Sequence, residues 1–397
     1  FFEINALEKV NGNKVNILFN VIKLSPKYAQ QINIYGNSRT FDYVIRRELD
    51  ISEGDPVYPS QIRKIEKKLN SLNLFSKVEI REKNLNNNSI NIEIEVEEKQ
   101  TGSVNAGLAL GTFDGFSVMA GLKERNFGGT GRSINALVNT SEGRNQYTFE
   151  TSDRILYRDN VDLKYIANYI EEDFATTSSY KVNTMSLGAG VGYNINSKVR
   201  HNISLDYLIK DYMITNRSTA SSTIINSEGD NVSFLLQNNI FYSTLNSIYQ
   251  PNDGVSLKYN NVLETPTSSS NGYIKNIITF KNFKKINKNV ISNQTRIGNI
   301  ASLGNNDILT DDKFSLGGKW LRGFDIYGAG PRNSRTSYVG GENLFVTKFD
   351  YSRELLGGPD FPVYLNIFND YGIVWSNKTK PTNSDETLRS SVGFGIK

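Results

Sequence analysis

Cysteine is absent from the 397-residue sequence, and histidine occurs once, at His201. Without cysteine the chain can form no disulfide bond, no thiolate metal site and no thiol nucleophile. His201 begins an alternating stretch of sequence, so we interpret it as a side chain at a strand end and not as a catalytic group. We therefore predict no metal site, no cofactor and no catalytic residue, and a protein that is not an enzyme.

Long apolar runs are absent as well. No stretch of about 18 apolar residues occurs, which excludes a candidate transmembrane helix. A membrane β-barrel is not excluded, because its apolar residues alternate with polar ones. The 21 Tyr, 21 Phe and 32 Gly suit aromatic girdles and tight turns. The net charge of +4 is mild and indicates no nucleic-acid partner.

Residues 26–99 are set apart by helical periodicity. Two helices and three strands are predicted, in the order strand Gln31–Asn37, helix Arg39–Leu49, helix from Pro59, strand Lys77–Glu82 and strand Ile90–Glu98. This β-α-α-β-β order predicts a small α+β domain with its helices on one face of a three-stranded sheet. Residues 1–25 are predicted to end a preceding copy of the domain, with its last strand at residues 14–24.

After Thr101 the helical periodicity ends, and segments alternate between apolar and polar residues. The clearest runs from Phe361 to Trp375, with apolar residues at nearly every odd position. About fourteen such segments, separated by Gly, Asn, Asp and Ser, predict an antiparallel transmembrane β-barrel over residues 100–397. A soluble β-sandwich also alternates, but these strands are long and their inner faces are polar, which does not suit a dry core.

The first of these strands, Thr101–Gly111, is rich in Gly and Ala. Its alternation places Val104, Ala106, Leu108 and Leu110 on the outer face. Glycine weakens strand pairing. The strand is therefore either an ordinary first strand with small inward side chains or a seam that can open.

Several motifs together resemble the BamA-type outer-membrane assembly proteins, in which periplasmic POTRA domains precede a transmembrane barrel. Residues 39–98 resemble the POTRA domain nearest the membrane, and residues 101–133 resemble the first barrel hairpin. WLRGF at Trp320–Phe324 matches the family's most specific motif, at the tip of the sixth extracellular loop.

Two further motifs fall on the strands expected to face that loop. FNDYG at Phe368–Gly372 matches the FxDxG pattern of the family's thirteenth strand. Gly340–Asp350 resembles the twelfth strand, with Asp350 in place of the usual Glu. The resemblance implies that the loop, about residues 304–340, folds back into the barrel. There Arg322 would meet Asp370 and Asp350, because carboxylates offset the cost of burying a guanidinium.

The glycines of the loop have expected roles too. Gly323 is expected to allow a sharp turn, and Gly317 and Gly318 to let the loop pass close to the barrel wall. The predicted site that holds the loop comprises Leu321, Arg322, Gly323, Phe324, Asp350, Phe368, Asp370 and Gly372.

The resemblance implies a protein that folds and inserts newly exported β-barrel proteins into the bacterial outer membrane, with its N-terminal part in the periplasm. An incoming strand would pair with the first barrel strand before it meets lipid. The predicted template strand comprises Thr101, Gly102, Ser103, Val104, Asn105, Ala106, Gly107, Leu108, Ala109 and Leu110. The implied partners are unfolded outer-membrane β-barrel proteins, membrane lipid and accessory assembly lipoproteins bound through the POTRA domains.

The resemblance leaves alternatives open. Barrels of the family have sixteen strands, so the last strands are expected to be absent from this chain, and the number of upstream POTRA domains is undetermined. A two-partner polypeptide secretion pore shares the loop motif, and a TamA-like assembly factor is a third relative. Some family barrels carry a lipase domain, but no GxSxG motif occurs here.

Overall fold

The computed structural model describes residues 2–11, 14–23, 26–86, 88–111, 115–154, 161–247, 250–266, 272–304, 307–332, 338–356, 363–377 and 386–396. Phe361, which begins the clearest alternating segment of the sequence, lies outside the described residues, as do residues 305–306 and 333–337 of the predicted loop. Within the described ranges, no helix has the length and apolar character needed to cross a membrane.

The first two strands form a hairpin. β1 (Phe2–Asn11) pairs antiparallel with β2 (Lys14–Lys23), from Phe2 opposite Lys23 to Asn11 opposite Lys14. The sequence predicted the second strand and missed the first. That the hairpin ends a preceding domain stays a prediction.

The helical region folds into an α+β unit with four strands, one more than predicted. Its elements are β3 (Lys27–Tyr35), α1 (Asp42–Arg46), β4 (Pro56–Val57), α2 (Pro59–Ser71), β5 (Phe75–Asn84) and β6 (Ser89–Glu98). The sheet order is β4-β3-β6-β5, with β3 parallel to β6 and the other pairs antiparallel. The added strand, β4, has two residues, too few for a detectable alternation.

Helix α1 is shorter than the predicted Arg39–Leu49 because another group binds the preceding backbone. The Glu98 carboxylate accepts hydrogen bonds from the backbone N–H of Arg39 at 3.0 Å and of Thr40 at 2.6 Å. Phe41 stays extended, so the helix begins at Asp42. Helix α2 begins at Pro59 as predicted, where a missing N–H costs nothing.

The core of this unit lies between the two helices and the sheet. Its fully buried residues are Val44, Ile45, Ile65 and Leu69 from the helices and Ile90, Ile92, Ile94 and Val96 from β6. Burying each such side chain stabilises the fold by about 1.5–3 kcal/mol. The alternation of β6 thus places its isoleucines under the helices.

The chain divides into two compact units, Phe1–Ser103 with Lys123–Ile134, and Val104–Leu122 with Asn135–Lys397. A single sheet of fourteen strands follows the α+β region, and each strand neighbours the next one in the sequence. The strands are β7 (Gly102–Gly111), β8 (Gly115–Phe127), β9 (Arg132–Ser141), β10 (Arg144–Arg154), β11 (Val161–Phe174), β12 (Tyr180–Asn194), β13 (Val199–Ile214), β14 (Gly229–Ser243), β15 (Gly254–Glu264), β16 (Tyr273–Ile286), β17 (Asn289–Ser302), β18 (Asn343–Leu356), β19 (Val363–Trp375) and β20 (Arg389–Ile396).

Two short helices lie in connections of this sheet. α3 (Ala175–Ser178) joins β11 to β12, and α4 (Ser222–Asn226) joins β13 to β14. The Ser221 hydroxyl caps α4 by accepting a hydrogen bond from the Ile224 backbone N–H.

The predicted alternation is present on the strands. On β13, Leu205 and Tyr207 are exposed on the outer face, while Asp206 between them is buried. On β7, Val104, Leu108 and Leu110 are exposed, but Asn105 and Ala109 are exposed too, so exposure does not distinguish the two faces of this strand. An apolar outer face with polar residues inside is the pattern of a membrane β-barrel.

The inner face is not polar throughout, which corrects the prediction from sequence. Ile300, Leu344, Val346 and Val374 are buried near one end of β17–β19. They form an apolar wall against which the loop between β17 and β18 packs. A strand that is apolar on both faces over a few residues breaks the alternation only locally, so the pattern did not reveal this wall.

Candidate functional site

The loop between β17 and β18 carries the predicted motif and folds against the inner face of the sheet. Its tip turns at Gly323, whose φ of +85° suits glycine far better than residues with a Cβ atom. The turn places Arg322 beside two strand carboxylates.

Arg322 is bound most closely to Asp370 on β19. Its Nε lies 2.7 Å from Asp370 Oδ2, and its Nη2 lies 2.5 Å from Asp370 Oδ1. The backbone N–H of Arg322 also donates to Asp370 Oδ2, at 3.1 Å. The carboxylate therefore fixes both the side chain and the backbone of the loop tip.

Asp350 on β18 binds the other edge of the guanidinium. Nη1 of Arg322 lies 2.7 Å from Oδ1 of Asp350, and Nη2 lies 3.2 Å from Oδ2. Asn366 donates its side-chain amide to Asp350 Oδ1 at 2.9 Å, which orients the carboxylate. Sequence reasoning missed Asn366, although it lies two residues before the FNDYG motif.

The face of the guanidinium is covered by an aromatic ring. The Cζ atom of Arg322 lies 3.8 Å from the centre of the Phe368 ring, close enough for a cation–π interaction. Planar stacking and two paired carboxylates together suit arginine, and a lysine could not reproduce them.

The three charged groups differ in exposure. The Asp370 side chain is fully buried, whereas the side chains of Arg322 and Asp350 are 25% and 23% exposed. Burial alone lowers the pKa of Arg322, but its hydrogen bonds to Asp370 and Asp350 raise it above its ordinary value. The guanidinium therefore remains charged, and removing Asp370 would leave a partly buried cation without its most enclosed partner.

Two further contacts hold the residues before Arg322. The Lys348 ammonium donates to the Lys319 carbonyl at 2.7 Å. The Arg296 guanidinium of β17 stacks over the Trp320 ring at 4.3 Å. The tip is thus bound by three neighbouring strands.

Two loop glycines act differently from the prediction. A Cβ on Gly317 would lie 1.9 Å from the Asp325 carbonyl oxygen, and one on Gly318 would lie 2.6 Å from the Ile326 side chain. These glycines therefore permit close approach of the loop to its own returning segment and not to the wall.

The glycines that admit the loop lie on the strands instead. A Cβ on Gly372 would lie 3.0 Å from the Leu316 methyl groups, and one on Gly298 would lie 2.5 Å from the Phe314 ring. Leu316, Phe314 and Leu321 are buried against the apolar wall. Hydrophobic burial and the Arg322 contacts therefore hold the same loop.

The predicted template strand lies apart from these contacts. Residues Gly102–Leu110 lie in β7, at one end of the fourteen-stranded sheet, and β20 lies at the other end. The loop tip lies beside β20, where a Cβ on Gly323 would be 3.8 Å from Ser391. Within the described residues, the contacts of Arg322 come from β18 and β19, so the structure does not join the two predicted sites.

Comparison with known proteins agrees with this architecture. The model of the Omp85 superfamily domain matches residues 126–397, and a POTRA model described as a surface antigen variable number repeat matches residues 27–99. Outer membrane protein assembly factor BamA of Neorickettsia risticii is 25% identical over 97% of this chain, and that of Nitratidesulfovibrio vulgaris is 24% identical over all of it. The chain spans about half the length of these relatives, 52% and 50%.

Solved structures show the same fold. A crystal structure of BamA from Haemophilus ducreyi lacking POTRA domains 1–3 has a TM-score of 0.82 at 20% identity, over 100% of this chain and 83% of that one. CdiB from Acinetobacter baumannii has a TM-score of 0.58 at 12% identity, over 96% of this chain and 69% of that one. The match over residues 126–397 covers more than half of the sequence. The chain therefore belongs to the Omp85 superfamily, as an outer-membrane β-barrel preceded by a periplasmic POTRA domain.

Proposed function

We propose that this chain is an outer-membrane protein assembly factor that folds and inserts β-barrel proteins without bond-making chemistry. The names of its relatives support the assembly role. The observation that carries the proposal is the fixed loop tip, in which Arg322 contacts both Asp350 and Asp370. A loop fixed by buried charge has one defined conformation beside the end of the sheet.

Strand templating explains how such a barrel would act. An unfolded strand in lipid carries unpaired backbone groups, each of which costs several kcal/mol. An end strand offers N–H and C=O groups that pair with an incoming chain. β7 suits this role because Gly102, Ala106, Gly107 and Ala109 leave little side-chain bulk above its backbone. Its glycines also weaken its pairing within the sheet.

The partners follow from the same proposal. The substrates are unfolded outer-membrane β-barrel proteins, and membrane lipid surrounds the apolar outer face. In the α+β unit, the order β4-β3-β6-β5 places β5 (Phe75–Asn84) at the end of the sheet. An added strand from a substrate or an accessory lipoprotein could pair there.

A folding assay in liposomes tests the assembly role. The full-length gene product is reconstituted, an unfolded outer-membrane barrel is added, and its folding rate is measured with and without the protein. We expect marked acceleration that Arg322→Glu abolishes, because the glutamate would face Asp350 and Asp370. Adding Asp370→Arg to that variant should restore part of the rate. Without acceleration by the wild type, the assembly role is wrong.

Templating has its own test, since the chain contains no cysteine. When a mild oxidant is added to accept the two electrons, single cysteines at Asn105 and Gly107 should form disulfides with cysteines in the terminal strand of an arrested substrate. A cysteine at Ser204, on the inner face of β13, serves as the matched control. Equal cross-linking at Ser204 would contradict templating while leaving the assembly role intact.

A secretion pore of the two-partner type is the alternative. The likeness to CdiB, at a TM-score of 0.58, is weaker than the likeness to BamA, at 0.82. Large ion conductance of the reconstituted full-length protein, without any acceleration of barrel folding, would favour the pore. The same liposomes serve both measurements.

A further inference from the structure

A second group of buried charges holds the same loop at a different place. Lys210 of β13 lies on the inner face, with its Nζ 2.9 Å from Asp311 Oδ2 and 2.7 Å from Asp312 Oδ1. Both aspartates belong to the loop between β17 and β18. Tyr212, two residues along β13, donates its hydroxyl to Asp311 at 2.8 Å.

A second strand completes the group. The Tyr273 hydroxyl of β16 donates to Asp312 Oδ1 at 3.2 Å, and the Lys275 ammonium donates to the Asp312 carbonyl. We call Lys210, Tyr212, Tyr273, Lys275, Asp311 and Asp312 the Lys210 cluster. It joins the loop to β13 and β16, whereas Arg322 joins it to β18 and β19.

The two attachments are separate along both the loop and the sheet. Nine residues, 313–321, separate Asp312 from Arg322 in the sequence. In the sheet, β17 lies between β16, the nearer strand of the cluster, and β18, and β14–β17 separate β13 from β18. Within the described residues, no hydrogen bond or ion pair connects Arg322 to the Lys210 cluster.

The charges of the cluster are deeply enclosed. The side chains of Lys210, Asp311 and Asp312 are 10%, 12% and 11% exposed. Glu264, also buried, adds a third carboxylate nearby. Removing the lysine would leave an excess of buried negative charge, which is far costlier than the loss of an exposed ion pair. The loop segment at Asp311 and Asp312 is therefore strongly tied to Lys210.

We infer that the Lys210 cluster is a second, independent anchor that positions the base of the loop, while Arg322 fixes its tip. Lys210 is a positioning residue in this scheme. Loss of Arg322 frees the tip and leaves the base in place. Loss of Lys210 frees the base and leaves the tip in place. The inference that both anchors serve barrel insertion rests on the proposed function. The inference that they hold the loop in place does not rest on it.

Cysteine accessibility tests the anchor directly, because any introduced cysteine is unique. Ser315 reports on the base: it lines a cavity of about 330 Å³ together with Lys210 and Asp312. Leu321, fully buried beside Arg322, reports on the tip. The full-length protein in nanodiscs carries Ser315→Cys or Leu321→Cys, and the rate of modification by a polar maleimide is measured.

Four changes are compared in each reporter background. Lys210→Met should raise the modification rate at position 315 about tenfold or more. It should affect position 321 much less. Arg322→Gln should raise the modification rate at position 321 much more than at position 315. Lys210→Arg should retain most of the protection at position 315. Lys164→Met is the control, since Lys164 forms an ion pair with Glu150 at 2.7 Å, away from the loop.

Tyr212→Phe keeps the test decisive if Lys210→Met fails to fold, since it removes only the hydroxyl that binds Asp311. It should raise the rate at position 315 by a smaller factor. Unchanged protection at 315 in Tyr212→Phe and in any folded Lys210→Met would overturn the second anchor. Equal opening of both positions by Arg322→Gln would overturn its independence. Neither rate depends on insertion activity, so either failure is distinct from failure of the proposed function.

Discussion

The Asp370 carboxylate accepts three hydrogen bonds from Arg322, two from the guanidinium and one from the backbone N–H. One strand residue thus fixes both the side chain and the main chain of the loop tip. Of Arg322, Asp350 binds only the guanidinium, and the Asp350 side chain is partly exposed. The two acids are therefore not equivalent.

We expect Asp370→Asn to loosen the loop more than Asp350→Asn. Asp370 is fully buried and contacts the backbone, so its neutralisation should cost on the order of 3 kcal/mol. Asp350→Asn should cost about 1–2 kcal/mol. Limited proteolysis of the loop and unfolding in denaturant measure both effects. Asp253→Asn, which removes an exposed ion pair with Lys284, is the control and should change little. A larger effect of Asp350→Asn would contradict this order.

Replacing Phe368 by leucine tests the stacked ring. The leucine fills much of the volume but loses the cation–π contact with Arg322, so a loss of about 0.5–2 kcal/mol is expected. Phe394→Leu, on the exposed outer face of β20, is the matched control and should have a much smaller effect. Equal unfolding midpoints for the two variants would exclude a contribution from stacking.

The wall glycines predict a graded series. Gly298→Ala should displace the Phe314 ring, since the new Cβ would lie 2.5 Å from it, and Gly372→Ala should press on Leu316 at 3.0 Å. Overpacking of this kind costs about 1–3 kcal/mol. Gly395→Ala, which meets no atom within 4 Å, should be neutral. Protease sensitivity of the loop should follow the order Gly298, Gly372, Gly395, and any other order would count against close approach as the reason for these glycines.

Glu98 gives the α+β unit a dependence on pH. Burial raises the pKa of Glu98, but hydrogen bonds from Thr40, Ser38 and Arg39 outweigh it and lower the pKa below its ordinary value. A lowered pKa means that the stabilisation is present above the unfolded value near 4.5 and is lost as the pH falls through the folded value.

Hydrogen exchange can detect this loss. Protection factors of the Arg39 and Thr40 amides, corrected for intrinsic exchange, should fall as the pH is lowered from about 6 to about 3. In Glu98→Gln they should be low at the higher pH already, because the amide offers one acceptor oxygen in place of two. Full protection in Glu98→Gln would show that the carboxylate does not hold this segment.

Much of the fold can be predicted from local patterns in the sequence. Strand alternation predicted about fourteen strands with polar residues on their inner faces, because side chains of a strand point alternately to opposite faces. Helix α1 was predicted too long because the bonds between Glu98 and the Arg39–Thr40 backbone join residues almost sixty positions apart.

The candidate site, too, was only partly predictable from the sequence. The resemblance of WLRGF and FNDYG to a family pattern implied a contact between Arg322 and Asp370. This contact is present in the structure. The Lys210 cluster had no such motif. Lys210 was one of several inward polar residues, and Asp311 and Asp312 were ordinary loop acids in the sequence.

By itself, the sequence determined most of the strands, the alternation of their two faces and where the loop lies, because these depend on neighbours along the chain. The tertiary structure alone decided where the loop lands: Leu316 against Gly372, Phe314 against Gly298, and Asp312 against Lys210. Those contacts depend on the three-dimensional path of a long loop across several strands. Burial and charge pairing select that path only once the sheet has brought the strands together.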